Sequence, residues 1–193
     1  HGCVPLKEDG NLKSVRIFGR AYKGKGLYEV LESYVRKGFY AMDPKEKERG
    51  KDIMWYIWLS ENSPLFGKDK MATFERYFLA EKETHKEKKN PYYLLLEDEK
   101  VVGKILKEFG LESEDAHIIN GHVPVKCKDG ENPVKCGGKV LVIDGGFSKA
   151  YQKETGIAGY TLIYNSYGLI LAAHKLFEST EAAIEKESDI HSD

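Results

Sequence analysis

Cysteine is scarce in this sequence: three residues among 193, at Cys3, Cys127 and Cys136. So sparse and odd a set builds no disulfide framework and suits a reducing cytosol, so all three are read as free thiols. Long apolar runs are also missing. None approaches the ~18 residues of a membrane span, and no charged-then-apolar leader opens the chain; a soluble, cytoplasmic protein without a membrane partner is expected. Excess charge of either sign is absent as well, with 30 Lys and Arg against 31 Asp and Glu and a formal charge of -1. That balance removes the bulk electrostatic case for nucleic acid or an anionic membrane, so any bound anion must be recognised locally. No linker rich in Pro, Gly or Ser divides the chain. An initiator Met is lacking too, and His1-Gly2-Cys3-Val4-Pro5-Leu6 reads as the middle of something. Residues 1–193 are therefore expected to be a single C-terminal fragment.

What is present is a 41% share of hydrophobic residues, enough to bury a core. From Gly26 to Phe109 these recur at helical spacing with charges between them. Leu27, Val30, Leu31 and Val35 predict one helix; Ile53, Trp55, Tyr56 and Trp58, after Pro44 and a charged first turn, predict a second; Met71, Phe74 and Phe78 predict a third. A fourth is expected to begin at Pro91, to line one face with Leu95, Val102, Ile105 and Phe109, and to stop at Gly110. After Asp115 the pattern changes to short apolar or β-branched runs bounded by Gly, Asn and Ser: Ile118-Ile119, Lys139 to Asp144, Tyr160 to Tyr164 and Leu169 to Ala173. These read as strands. Asn165-Ser166-Tyr167-Gly168 predicts a hairpin turn between the last two. Glu178 to Glu187 is expected to form a short solvated helix before a frayed end. The near-repeat Pro124-Val125-Lys126-Cys127 and Pro133-Val134-Lys135-Cys136 is too short for a solenoid repeat and suggests a hairpin around Lys128-Asp129-Gly130.

The stretch Ile118-Ile119-Asn120-Gly121-His122-Val123-Pro124-Val125-Lys126 is the most informative chemically. A buried strand ending in Gly-His delivers an imidazole to the sheet edge, where open α/β folds place ligands and metals. A His after a strand is more often a satisfied structural residue, so the residues alone leave both readings open.

Gly121-His122, the strand Gly137 to Gly145 and Gly159-Tyr160-Thr161-Leu162 resemble the closing part of calcineurin-like metallophosphoesterases. More narrowly, His117 to Lys126, Asp144 to Gln152, Thr155 to Tyr160, Ser63 to Lys68 and Thr73 to Phe78 are similar to class III fructose-bisphosphatases, in the right order and over essentially the whole chain. The resemblance implies an α/β fold, the C-terminal part of a metallophosphoesterase sandwich. Residues 26–115 would be a helical insertion, 116–175 the closing strands of the catalytic sheet, and 176–193 a terminal helix and tail. It further implies a sugar bisphosphate substrate, hydrolysed to fructose 6-phosphate in gluconeogenesis, and leaves room for a homo-oligomer. Two divalent cations, usually Mn²⁺, would polarise the phosphoryl group and activate water. His1-Gly2-Cys3 is similar to the fourth metal motif of the family and Gly121-His122 to the fifth, so His1 and His122 are the implied metal ligands, both to one metal. The other motifs would lie upstream. Asp115-Ala116-His117 and Asp189-Ile190-His191 mimic the first motif but come too late in the order. For the remote phosphate, Lys126 and Lys149 are the first candidates, followed by Lys68, Arg76 and Tyr151. For each, a solvated surface cation or a core-edge Tyr is an equally common role.

Four other readings compete. Gly19 to Gly26 nearly matches a P-loop, but Gly26 stands where the Mg²⁺-holding Ser or Thr belongs, and a basic turn into a helix is the plainer account. Cys127, Cys136 and His122 match no zinc-ribbon spacing. The aromatic helices could form a non-catalytic partner-binding module, although such stripes are more often core. Another phosphatase of the superfamily, acting on proteins or dinucleoside polyphosphates, is the nearest functional alternative.

Overall fold

A computed structural model describes residues 2–121, 123–126, 129–143, 152–156, 159–174 and 179–185. They are a mixture of helices and small sheets, in two units, His1–Ala116 and His117–Asp193.

In the first unit β1 (Val15–Ile17) and β2 (Arg20–Tyr22) pair antiparallel, with Ile17 opposite Arg20. The connecting Phe18 and Gly19 both have positive φ, 45° and 83°, as a two-residue turn that follows strand twist requires. Helix α1 (Gly24–Tyr40) then runs against α2 (Pro44–Leu59). Pro44 sits in the first turn of α2, where its missing N–H costs nothing, and the Asp43 carboxylate accepts the Lys45 N–H. Leu27, Leu31 and Ile53 form the core beneath Val15 and Ile17. Further along, the two helices touch backbone to backbone: a Cβ on Gly38 would lie 2.5 Å from the Gly50 Cα.

Beyond α2 the chain makes a closed excursion from Gly67 to Asn90. Its neck is fastened by the bridge between Lys68 and Lys89, by Asp69 N–H donating to the Lys88 carbonyl and by Asn90 N–H donating to the Gly67 carbonyl. It carries α3 (Thr73–Phe78). The fourth helix expected from Pro91 is two pieces, a 3₁₀ turn over Pro91–Leu94 and α4 (Glu99–Glu108). Asp98 makes the break, because its side chain accepts the Lys100 and Val101 N–H groups and starts a new helix there. Gly110 (φ 77°) ends α4 as expected, with Leu111 N–H donating back to the Leu106 carbonyl and Gly110 N–H to Lys107.

In the second unit β3 (Ile118–Asn120), β4 (Val134–Lys135) and β5 (Val140–Val142) form one sheet in the order β3-β5-β4. β3 and β5 run parallel, and β4 is antiparallel to β5. The central β5 is buried at all three positions, which explains its unbroken apolar run. After α5 (Gln152–Thr155), β6 (Gly159–Asn165) and β7 (Gly168–His174) form the expected hairpin around Ser166-Tyr167. The Asn165 side chain accepts the Tyr167 N–H and sets that turn. A short α6 (Thr180–Glu185) follows. The hairpin expected from the near-repeat does not form among the described residues. Asp129 and Glu131 donate their N–H groups to the Lys126 carbonyl, so the turn exists, but Val134–Lys135 pairs with β5. Central β5 has an open edge to fill, and residues 123–126 make no strand.

Candidate functional site

The first unit holds residues 2–6 firmly. Cys3 N–H donates to the Pro64 carbonyl (2.8 Å), and Leu6 N–H donates to Asn90 Oδ1 (3.2 Å). Tyr28 Oη donates to the Cys3 carbonyl (2.8 Å) and Tyr93 Oη to the Gly2 carbonyl (3.1 Å). Burial raises the pKa of both phenols and pushes the Cys3 thiol up to about 12. These groups therefore stay neutral at ordinary pH and work as clamps. Nothing in the sequence marked Tyr28 or Tyr93 for this, because Tyr93 lies 91 positions from its acceptor.

In the second unit, the parallel pairing of β3 and β5 brings Gly121 and Ile143 to one edge of the sheet, and Ile143 N–H donates to the Asn120 carbonyl (2.9 Å). His117 is used structurally: its Nδ1 meets the Gly138 carbonyl at 2.9 Å. A carbonyl only accepts, so the proton is on Nδ1, in keeping with the reading of Asp115-Ala116-His117 as a mimic of a metal motif. Lys126 is exposed, and its side chain makes no ion pair with a described residue. Its N–H donates to Glu131 Oε2 (3.0 Å), whose other oxygen takes Lys135 Nζ (3.0 Å).

Lys68 and Arg76 come together at one carboxylate. Glu87 accepts from Lys68 Nζ (2.9 Å) and from the Ala72 N–H (2.8 Å), and Arg76 Nη2 lies 3.6 Å from it. With this partner Lys68 helps to fasten the excursion's neck. Sequence reasoning passed over Glu87 because it sits in the run Lys86-Glu87-Lys88-Lys89, which looks like a solvated surface.

His1, His122, Lys149, Tyr151, Cys127 and Asp189-Ile190-His191 lie outside the described residues. Among the described residues no three His, Cys, Asp or Glu side chains gather as a metal set would. The P-loop alternative is set aside by two contacts. Arg20–Tyr22 is a paired strand instead of an anion cradle, and the Glu108 carboxylate takes the Lys25 N–H (3.2 Å) against Gly24, where a phosphate would have to sit.

A family model for the Firmicute fructose-1,6-bisphosphatase matches residues 1–193. The chain belongs to that family. It is similar to the fructose-1,6-bisphosphatase class 3 of Clostridioides difficile (strain 630), 61% identical over 191 residues, and to that of Clostridium acetobutylicum, 60% identical over 191 residues. A class 3 relative from Clostridium beijerinckii is 58% identical over 190 residues. Each match covers 98% of this chain but only 29% of the relative. No solved structure matches the chain.

Proposed function

We propose that this chain supplies part of a cytoplasmic phosphatase that hydrolyses D-fructose 1,6-bisphosphate to D-fructose 6-phosphate and phosphate in gluconeogenesis. The observation that carries the reading is the family match along all 193 residues, together with 58 to 61% identity to relatives named for that activity. In this reading the strands of 116–175 close a calcineurin-like sandwich, and 26–115 is a helical insertion in its sequence.

Two divalent cations, Mn²⁺ here, supply polarisation of the phosphoryl group and activation of water when bound. His1 and His122 are the ligand candidates in this chain. Neutral imidazole suits such a cation, and the neighbouring backbone is stiff in both places, with Gly2 and Cys3 clamped by tyrosines and Gly121 leaving a paired strand. The carboxylate and Asn ligands belong to the part of the relatives that this chain does not cover. Lys126 and Lys149 are proposed to orient the remote phosphate. Lys126 is the better supported of the described lysines, because Lys68 already has Glu87 as its partner.

A chimera tests the reading: this chain replaces the matching 191 residues of the C. difficile relative. Mn²⁺-dependent phosphate release from fructose 1,6-bisphosphate, severely cut by His122→Ala, is expected. A folded chimera that hydrolyses other phosphomonoesters but not this substrate overturns it.

A further inference from the structure

Glycine has the least restrained backbone of any residue, and Gly2 follows His1, one of the two proposed metal ligands, directly in the sequence. A Cβ on Gly2 would meet nothing within 4 Å, so close packing on that side does not set its conformation. Hydrogen bonds to the peptide that follows it do. The Gly2–Cys3 peptide is planar and is held at both of its polar groups: Tyr93 Oη donates to the Gly2 carbonyl (3.1 Å), and the Cys3 N–H donates to the Pro64 carbonyl (2.8 Å). The next peptide takes Tyr28 Oη at the Cys3 carbonyl (2.8 Å).

The two phenols are themselves held in place. Tyr28 comes from α1, and its ring meets that of Phe109, just beyond α4, edge to face at 5.5 Å. Tyr93 comes from the 3₁₀ turn Pro91–Leu94 and packs on Tyr92 in the same manner at 5.3 Å. Asn90 ties that turn to the start of the chain, because its Oδ1 takes both the Leu6 N–H (3.2 Å) and the Tyr92 N–H (3.0 Å). Residues 3–6 are buried, and apolar burial fixes where such a segment runs. It does not fix the rotation of a peptide plane, which is what the two hydroxyls add. Phenylalanine at 28 and 93 would bury the rings equally well and leave both carbonyls without those donors.

We propose that Tyr28 and Tyr93 are positioning residues for the His1 imidazole, acting through the Gly2–Cys3 backbone, so that the helical stretch 26–115 sets the affinity of the site for its divalent cation. The inference rests on the reading of His1 as a metal ligand. A coordinating group has to be held within about 0.5 Å of its place, and one that precedes a glycine gains that precision only from outside. Groups that orient a ligand without touching the metal typically change its affinity by roughly 10- to 100-fold.

Titration of the metal-free chimera with Mn²⁺ alone, with electron paramagnetic resonance reading the free ion, tests the inference without recourse to turnover. Tyr28→Phe and Tyr93→Phe are each expected to weaken binding of one cation by roughly tenfold, while Tyr77→Phe, whose ring is 80% exposed on α3, leaves it unchanged. All are compared at a temperature where circular dichroism shows them folded, so a loss of stability alone does not move the dissociation constant. Tyr28 and Tyr93 sit on separate elements, and either decides the question if the other variant does not fold. His1→Ala distinguishes this inference from the reading beneath it. If it weakens Mn²⁺ binding while the folded phenylalanine variants bind as wild type does, the positioning role is overturned and the metal reading stands. If His1→Ala leaves Mn²⁺ binding unchanged, the metal reading itself falls, and the positioning role with it.

Discussion

Burial works against the charge on Glu87, yet the hydrogen bonds from Lys68 and the Ala72 N–H and the charges of Lys68 and Arg76 outweigh it and hold the carboxyl below the usual glutamate range. A depressed folded-state value stabilises the protein above the ordinary pKa, about 4.3, and that contribution fades as pH falls through the lower folded value. Glu87→Gln is therefore expected to lower urea stability by about 1–3 kcal/mol at neutral pH, and by progressively less as pH falls through the lowered folded value, where the wild-type carboxyl also protonates. An undiminished loss at acid pH speaks against the charge network. Cys3 behaves in the opposite sense. Its raised value, about 12, means that burial favours the fold fully below the ordinary thiol range and less as pH climbs past it. In native protein at about pH 8, peptide mapping after iodoacetamide is expected to find Cys3 unmodified, and to find it labelled once urea is added. Prompt native labelling contradicts its burial.

Glycines in the helices divide by what stands opposite them. In α1 a methyl on Gly38 would press the Gly50 Cα at 2.5 Å, backbone that cannot swing aside, whereas around Gly103 in α4 nothing lies within 4 Å. Gly38→Ala is expected to cost about 1–3 kcal/mol, and Gly103→Ala to add about 0.5–1 kcal/mol through helix propensity. Thermal unfolding reads both, and equal effects at the two sites refute the close helix contact. Elements whose pattern is local were legible in advance. Pro44, Gly110 and Asn165-Ser166-Tyr167-Gly168 bound α2, α4 and the β6–β7 hairpin where their chemistry places them. The strand β2 and the break at Asp98 were not. Arg20–Tyr22 is a strand only because β1 lies beside it, and an Asp within an apolar period reads as a solvated position until its side chain is seen taking two N–H groups. The candidate site is a different matter. Family-like segments pointed to His1, His122 and the lysines, but the clamps and Glu87 depend on hydrogen bonds 15 to 91 positions apart that no local pattern encodes.

At the scale of the molecule, the chain covers 29% of a relative's length, and in the proposed reading it carries only part of the metal ligands. The isolated chain is expected to release no phosphate from fructose 1,6-bisphosphate with Mn²⁺ present; measurable turnover by a pure preparation contradicts the proposed division of ligands. In the chimera, Lys126→Ala is expected to raise KM several-fold with little change in kcat, since orienting a distant phosphate is binding shared by ground and transition states. A fall in kcat at constant KM assigns that lysine elsewhere. The fastened neck at Gly67 and Asn90 has a separate consequence for the history of the chain. Polypeptide that leaves and re-enters at one point is a cassette, and doubling its length costs only about 0.6 kcal/mol of closure entropy. Insertions between Tyr77 and Lys82 are therefore changes in length that this unit absorbs at little cost, since they leave the neck and the Ala72 and Arg76 contacts of Glu87 in place.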